Sequence, residues 1–379
     1  MKQIDAADAP LVVHVFPSFA VGGAQVRFAA LANRFKARWR HVVIALDGNG
    51  ECADRISPEV PFTFLPAPAQ KGEPLPSRLW NIRATLRRLD PDVLVTGNWG
   101  SIEWAIANLV PPRLHHIHTE DGFGPEEATG QIRRRVLTRR LVLRRSSVVL
   151  PSMKLFQIAR DIWRLPPAQL HYIPNGLDLH RFNPRGVAAK LDIGGDGPLI
   201  GTVAALRTEK SLDRLLRACA LLSAQDTPFR LAVVGEGPES AALKALALDL
   251  RIHDRVVFTG HIADPATVFR SFDIFALSSA TEQMPFSVLE AMASGLCIGS
   301  TDVGDVRRMV AAENLPFIAG NSNESLAGSL RVLLLDSALR SKIGFANRTR
   351  AETEFDQEKM FDAYADLIEA IKPAKISPT

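Results

Sequence analysis

Residues 173–198 read IPNGLDLHRFNPRGVAAKLDIGGDGP. Proline, glycine, asparagine and aspartate crowd this stretch, a composition that suits a loop or linker. On both sides the chain keeps a different rhythm. Before it, LVVHVF (11–16), HVVIAL (41–46), FTFL (62–65), DVLVTG (92–97), RLHHIH (113–118) and SVVLP (147–151) read as short buried strands. Segments such as 24–36 and 75–89 lie between them and are long enough for crossover helices. After it the alternation resumes with LIGTVA (199–204), FRLAVVG (229–235), RVVFTG (255–260), DIFALS (273–278) and LCIGS (296–300). Beyond Asn321 only helical patterns remain, ending in EKMFDAYADLIEAI (358–371). Strands alternating with helices imply βαβ units and mainly parallel sheets. The expected fold class is therefore α/β, with two doubly wound Rossmann-like domains joined near 175–198.

The bulk numbers agree with that plan. A chain of 379 residues exceeds one typical core. Lys and Arg total 45 against 41 Asp and Glu, and the resulting +4 names no partner by itself. Its distribution is more telling: QIRRRVLTRRLVLRR (131–145) carries seven arginines and no acid. Such a cluster attracts phosphates, anionic lipid or nucleic acid. Projected at the helical period its arginines scatter round the circumference, leaving Ile132, Val136 and Leu143 as a narrow apolar strip. Arg133, Arg134, Arg140 and Arg144 are read as contacts for an anionic membrane surface; solvated charges or an acceptor-phosphate role are the other readings. The cysteines, Cys52, Cys219 and Cys297, are odd in number and scattered, which argues against a disulfide framework or a zinc site and fits a reducing cytoplasm. LVVHVF is too short for a signal peptide core, and no run is long enough to span a bilayer. A cytoplasmic protein, at most peripheral on a membrane, is expected, with loose tails at 1–10 and 372–379.

In open parallel sheets ligands bind beyond the carboxyl ends of the strands, so the chemistry is sought in strand-exit loops and in the cleft between the two domains. One such loop reads TEQMPFSVLEAMASG (281–295). Pro285 cannot continue a helix from before it and pushes Met284 out of helical geometry. Glu282 thus falls in a loop and Glu290 just over a turn inside a helix that Gly295 ends. The N–H groups of Phe286, Ser287 and Val288 lack intrahelical partners and carry the positive end of the helix dipole, which suits an anion. From spacing alone, a solvent Glu282 and a surface Glu290 are the stronger reading. In GTVAALRTEKSLDRLLRA (201–218), Arg207 and Lys210 stand just before a helix, where the dipole disfavours cations by up to about 1 kcal/mol. A bound anion would relieve that conflict; solvated loop charges are the plain alternative. GEGP (235–238) lacks the third glycine of a dinucleotide fingerprint. Gly22 and Gly23 allow close backbone approach or form a plain turn. His118 ends its predicted strand and points to the cleft mouth, unlike His115 and His116. DPD (90–92) precedes its strand, on the wrong edge of the sheet, and is read as a helix stop rather than a metal motif.

Taken together, E-x7-E with Pro285 and EAMASG (290–295), GTVAALRTEK (201–210), VVGEGP (233–238), RVVFTG (255–260), IPNGLD (173–178) and VGGAQ (21–25) resemble, in order, the retaining glycosyltransferases of family 4, which have the GT-B fold. The resemblance runs from about Leu11 to the last helix. It implies an acceptor-binding domain over 1–180, a nucleotide-sugar-binding domain over 181–355, and a final helix at 356–379 that crosses back to the first domain. It also implies that Glu290 holds the ribose hydroxyls, Glu282 contacts the donor sugar, and the amides near Phe286 and Ser287 meet the diphosphate. Lys210 would neutralise the leaving diphosphate, His118 would face the transferred sugar, and Gly22 and Gly23 would lie near phosphates and acceptor. Gly235 and Gly260, from the glycine-bearing motifs, join the implied donor site with Pro285. Two positions depart from the pattern. Ala205 stands where the family has an arginine, with Arg207 two residues on as a substitute. Gln283-Met284 replaces Gly-Phe, which makes these two residues the ones to set donor-sugar preference.

The implied reaction moves a sugar from a UDP- or GDP-linked donor to a hydroxyl of a glycan or lipid-linked acceptor, in polysaccharide or lipopolysaccharide synthesis. No metal or further cofactor is called for. An epimerase or hydrolase of the same fold is the nearest alternative, and a basic membrane- or nucleic-acid-binding protein a remote one.

Overall fold

The structure, a computed structural model, describes residues 9–69, 72–111, 113–127 and 130–370. Apart from Ala9 and Pro10, the stretches read as tails lie outside the described residues. The chain forms two compact units: the first runs to Ile173 and takes in the chain again from Phe361, and the second is Pro174–Met360.

The first unit holds seven parallel strands: β1 (Leu11–Phe16), β2 (Arg40–Ala45), β3 (Phe62–Pro66), β4 (Val93–Gly97), β5 (His115–Thr119), β6 (Ser147–Leu150) and β7 (Leu170–Tyr172). Their order is β3-β2-β1-β4-β5-β6-β7. Six coincide with the runs picked out by apolar composition; β7 is only three residues long and carries no such run. Buried apolar side chains cover both faces of this sheet, with Ile82, Leu86 and Trp104 on one side and Phe19, Phe28 and Ala32 on the other. Asp90 ends the helix Leu75–Leu89 in a left-handed cap, and Asp92 accepts the Leu11 N–H at 2.8 Å, so DPD is indeed a helix stop.

The arginine-rich helix Arg133–Val142 departs from its even projection. Arg139 is fully buried; its guanidinium donates to Glu120 (3.1 Å) and Glu127 (3.2 Å) and lies over the rings of Trp99, Phe123 and Trp163. Arg135 reaches Glu126 and Glu127 at 2.7 and 3.0 Å. Burial raises the Glu127 carboxyl, but the bonds from Arg139 and Arg135 outweigh it and hold the group below its ordinary range. The inward face of this helix is thus partly ionic, which an apolar-strip reading does not anticipate.

In the second unit β8 (Leu199–Val203), β9 (Arg230–Val234), β10 (Val256–Gly260), β11 (Ile274–Leu277), β12 (Cys297–Thr301) and β13 (Ile318–Ala319) run parallel in the order β10-β9-β8-β11-β12-β13. Leu215, Leu216 and Leu222 pack on one face and Val288, Leu289 and Met292 on the other. The Pro- and Gly-rich stretch at 173–198 is no free linker. Leu177 and Phe182 are buried in the second core, and the Leu177 N–H donates to the Phe355 carbonyl at 2.9 Å. All three cysteines are buried free thiols. No helix among the described residues is long and apolar enough to cross a membrane.

Replacing Arg139 by leucine would leave Glu120 and Glu127 buried without their shared cation. The expected loss is about 3–5 kcal/mol of unfolding free energy, read from urea unfolding of the first unit, whereas Arg140→Leu at an exposed position should change it by less than about 0.5 kcal/mol.

Candidate active site

β8 and β11 are neighbours, yet the chain leaves them in opposite directions, towards β9 and towards β12. Their exit loops therefore part, and a crevice forms at this switch point, beyond the carboxyl ends of the strands. Both sequence-predicted loops of the second unit lie there.

After β8 the chain makes a 3₁₀ turn, Thr208–Lys210, passes through left-handed Ser211 (φ 45°), and starts the helix Leu212–Ala224. The turn brings Lys210 Nζ to 2.6 Å from Glu282 Oε1. The Ser279 hydroxyl donates to the same oxygen at 2.7 Å. The cation before the helix is therefore balanced by a carboxylate of the next loop. Arg207 is exposed beside it, as is Ala205. Further bonds pin the two loops together. Ser278 Oγ donates to the Lys210 carbonyl (3.1 Å), Arg214 donates to the Ser278 carbonyl (2.6 Å), and the Ala280 N–H donates to the Glu209 carbonyl (2.9 Å).

Pro285 is the N-cap of the helix Phe286–Ala293, and Gly295, at φ 74°, closes it. The Val288 N–H bonds the Pro285 carbonyl at 3.2 Å, so of the three amides expected to be open only those of Phe286 and Ser287 precede the first helical acceptor. Phe286, Ser287 and Glu290 form the half-exposed side of this helix; Val288, Leu289, Ala291 and Met292 are buried. The Glu290 side chain makes no hydrogen bond or ion pair with any described residue; its backbone carbonyl takes the Ser294 N–H at 3.0 Å. Burial pushes its carboxyl up to about 7, with Arg181 drawing it slightly back. A half-buried carboxyl with no side-chain partner, one helical turn from two open amides, is the arrangement expected of a ligand-binding group.

Four predicted residues sit differently from the expectation. Met284 is 5% exposed, its sulfur takes the Asn175 N–H at 3.2 Å, and its carbonyl takes the Asn175 side-chain amide at 3.0 Å. It is a core residue that fastens the loop, leaving Gln283 as the partly exposed one of the pair. Gly235 and Gly260 bond to each other, N–H to carbonyl at 2.9 Å. A Cβ on Gly235 (φ 131°) would come within 2.0 Å of the Ala204 carbonyl, so this glycine lets the β9 exit pack flat against the β8 exit. In the first unit His118 does not open outward. Its strand runs on to Thr119, its side chain is fully buried, Nδ1 pairs with Thr96 Oγ1 at 2.8 Å, and Nε2 lies 3.6 Å from Glu120. His116 shares Thr96 and is held down to about 3, first by burial and then by its histidine neighbours. Gly22 caps the first helix, Gly23–Phe35, in extended geometry. Ser278, Ser279, Arg214 and Asn175 carry no signal in the sequence reading, although Ser278 ends a predicted strand and Ser279 directly follows it.

Comparison with known proteins covers both units. Residues 187–350 match the family described as glycosyl transferases group 1, and residues 21–181 match Glycosyltransferase Family 4. The lipopolysaccharide core biosynthesis glycosyltransferase LpsE of Rhizobium meliloti is 29% identical over 186 residues, 49% of this chain and 53% of that protein. Alpha-monoglucosyldiacylglycerol synthase of Streptococcus pneumoniae is 28% identical over 209 residues, 51% of this chain and 46% of that protein. The chain thus spans about half the length of the curated relatives it matches. In fold it is similar to HepE of Anabaena, solved with UDP and glucose, with a TM-score of 0.77 or above in each pairing and 0.79 in that one, at 18% identity over 95% of this chain and 100% of the other. The architecture is GT-B.

The Glu290 carboxyl gives a pH test. A free glutamate ionises near 4.5, whereas folding holds this proton to about 7. Between those values the folded state carries the extra proton, so stability falls as pH rises through that window. Glu290→Gln should therefore melt higher than the parent at about pH 8 and at the same temperature near pH 4. An identical melting difference at both pH values would contradict the assignment.

Proposed function

We propose, from the premise that the chain belongs to the family 4 glycosyltransferases, that it moves a sugar with retention from a nucleotide-diphosphate donor to a hydroxyl of a glycan or lipid-linked acceptor. The observation that carries this reading is the unpartnered, half-buried Glu290 beside the open amides of Phe286 and Ser287. A nucleoside diphosphate supplies what that pair lacks: ribose hydroxyls for the carboxyl and phosphate oxygens for the amides. The lipid or glycan acceptor is supported by relatives named for lipopolysaccharide core and diacylglycerol glucosylation.

In this reaction the bond from the anomeric carbon to the diphosphate oxygen breaks as the acceptor oxygen bonds to that carbon on the same face. The acceptor proton passes to the departing phosphate oxygen. Negative charge grows on the leaving group, and preorganised cations and amides there lower the barrier most. Lys210 takes that charge in this scheme, a reading supported by its partly exposed ion pair with Glu282, with which a phosphate could share it. Glu282, with Gln283, faces the donor sugar, and Arg207 adds a second cation. These groups make a divalent ion unnecessary in the proposed scheme. His118, buried on Thr96, is assigned no step.

A thermal-shift screen against UDP, GDP and ADP should show one nucleotide raising the melting temperature. Glu290→Ala should remove that shift. Lys210→Ala should fold and lower transfer by about a hundredfold or more, and EDTA should leave the parent rate unchanged. Parent-like turnover in both variants would refute the site, and stoichiometric sugar release without acceptor would indicate hydrolysis instead.

A further inference from the structure

The helix Arg133–Val142 has two faces that the fold has already separated. Arg135 and Arg139 turn inward to their carboxylates, so the helix cannot roll about its axis without breaking buried ion pairs. What it turns outward is fixed in consequence. Arg133, Arg134, Leu137, Arg140 and Leu141, with Arg144 in the following 3₁₀ turn, are all exposed, and on a helical projection they share an arc of about 120°. Leu137 and Leu141 are 55% and 60% exposed. The sequence has no acidic residue between Glu127 and Asp161.

We propose that this face docks on the surface of an anionic phospholipid bilayer, with Leu137 and Leu141 entering the boundary of the acyl region and the arginines gripping lipid phosphates. Each exposed leucine alone would be unremarkable. Two of them one turn apart and ringed by four cations match a surface that is negative outside and apolar just beneath. Arginine stems lie along the apolar boundary while their heads stay with the phosphates. A nucleic acid would use the arginines and leave the leucines idle, and the face offers no aromatic ring on which a base could stack. The inference goes beyond sugar transfer and uses only the first unit.

The test is co-sedimentation of the full chain with vesicles of phosphatidylcholine, alone or with roughly one-third phosphatidylglycerol, at about 0.15 M salt. The parent should bind the anionic vesicles and not the neutral ones. Leu137→Ser with Leu141→Ser keeps every charge and should weaken binding by roughly tenfold or more. Arg140→Gln with Arg144→Gln should weaken it by about fivefold per arginine. Unchanged melting temperatures and nucleotide-induced shifts in both variants establish that each is folded, and they keep this question separate from the transfer reading. Parent-like binding by the double-leucine variant, equal binding to neutral vesicles, or equally tight binding to an RNA homopolymer at the same salt would each overturn the proposal.

Discussion

The Glu282 carboxylate takes a hydrogen bond from Lys210 at 2.6 Å and another from Ser279 at 2.7 Å, and with them it joins two loops that the sheet topology drives apart. β8 and β11 must diverge, because their crossovers run to opposite edges of the sheet. The tie works with the bonds from Ser278, Arg214 and Ala280 to hold the turn bearing Lys210 against the loop bearing Pro285. The tie is partly shielded, with the lysine and glutamate side chains 26% and 11% exposed. Ion pairs at such a depth contribute modestly to stability. Their larger effect is positional: they fix where the helix Phe286–Ala293 begins, and so where its amides are aimed.

The two glutamates of this loop and its helix meet opposite fates within eight residues. Glu282 has a cation and a hydroxyl, whereas Glu290 has neither and is desolvated enough to hold its proton near neutral pH. The fold tolerates the second because the group is only half-buried and sits where water or a ligand can meet it. At the other end of the same helix, Arg348 donates to the Ala293 carbonyl at 2.6 Å, where a cation complements the dipole. The helix is thus satisfied at its carboxyl end and left open at its amino end.

Much of this was legible in the sequence, for physical reasons that differ by element. Buried parallel strands need continuous apolar runs, so β1 through β6 and β8 through β12 announce themselves; β7 and β13, three and two residues long, do not. Pro285 and Gly295 bracket their helix by backbone restriction alone, which is a local property. What the sequence could not convey was direction. Met284 reads as a loop residue facing a ligand, but Asn175, more than a hundred positions earlier, turns it inward. His118 ends an apolar run, but one further residue of strand and a buried Thr96 enclose it. The arginines at 135 and 139 are indistinguishable in composition from those at 134 and 140 until Glu120 and Glu127 choose between them. Such choices depend on residues brought close only by folding, and no window along the chain contains them.

The contact of Gly235 with the Ala204 carbonyl has a consequence for how this site can change over generations. A Cβ on Gly237 would likewise come within 2.4 Å of the Leu206 carbonyl, so two glycines on one loop set the height of the turn that carries Arg207 and Lys210. A methyl group at either place would lift that turn as a lever lifts its load, altering the reach of the lysine while every ligand-facing side chain stays as it is. Divergent descendants could therefore retune the crevice from behind, at positions that an inventory of contacts with a bound molecule would never include.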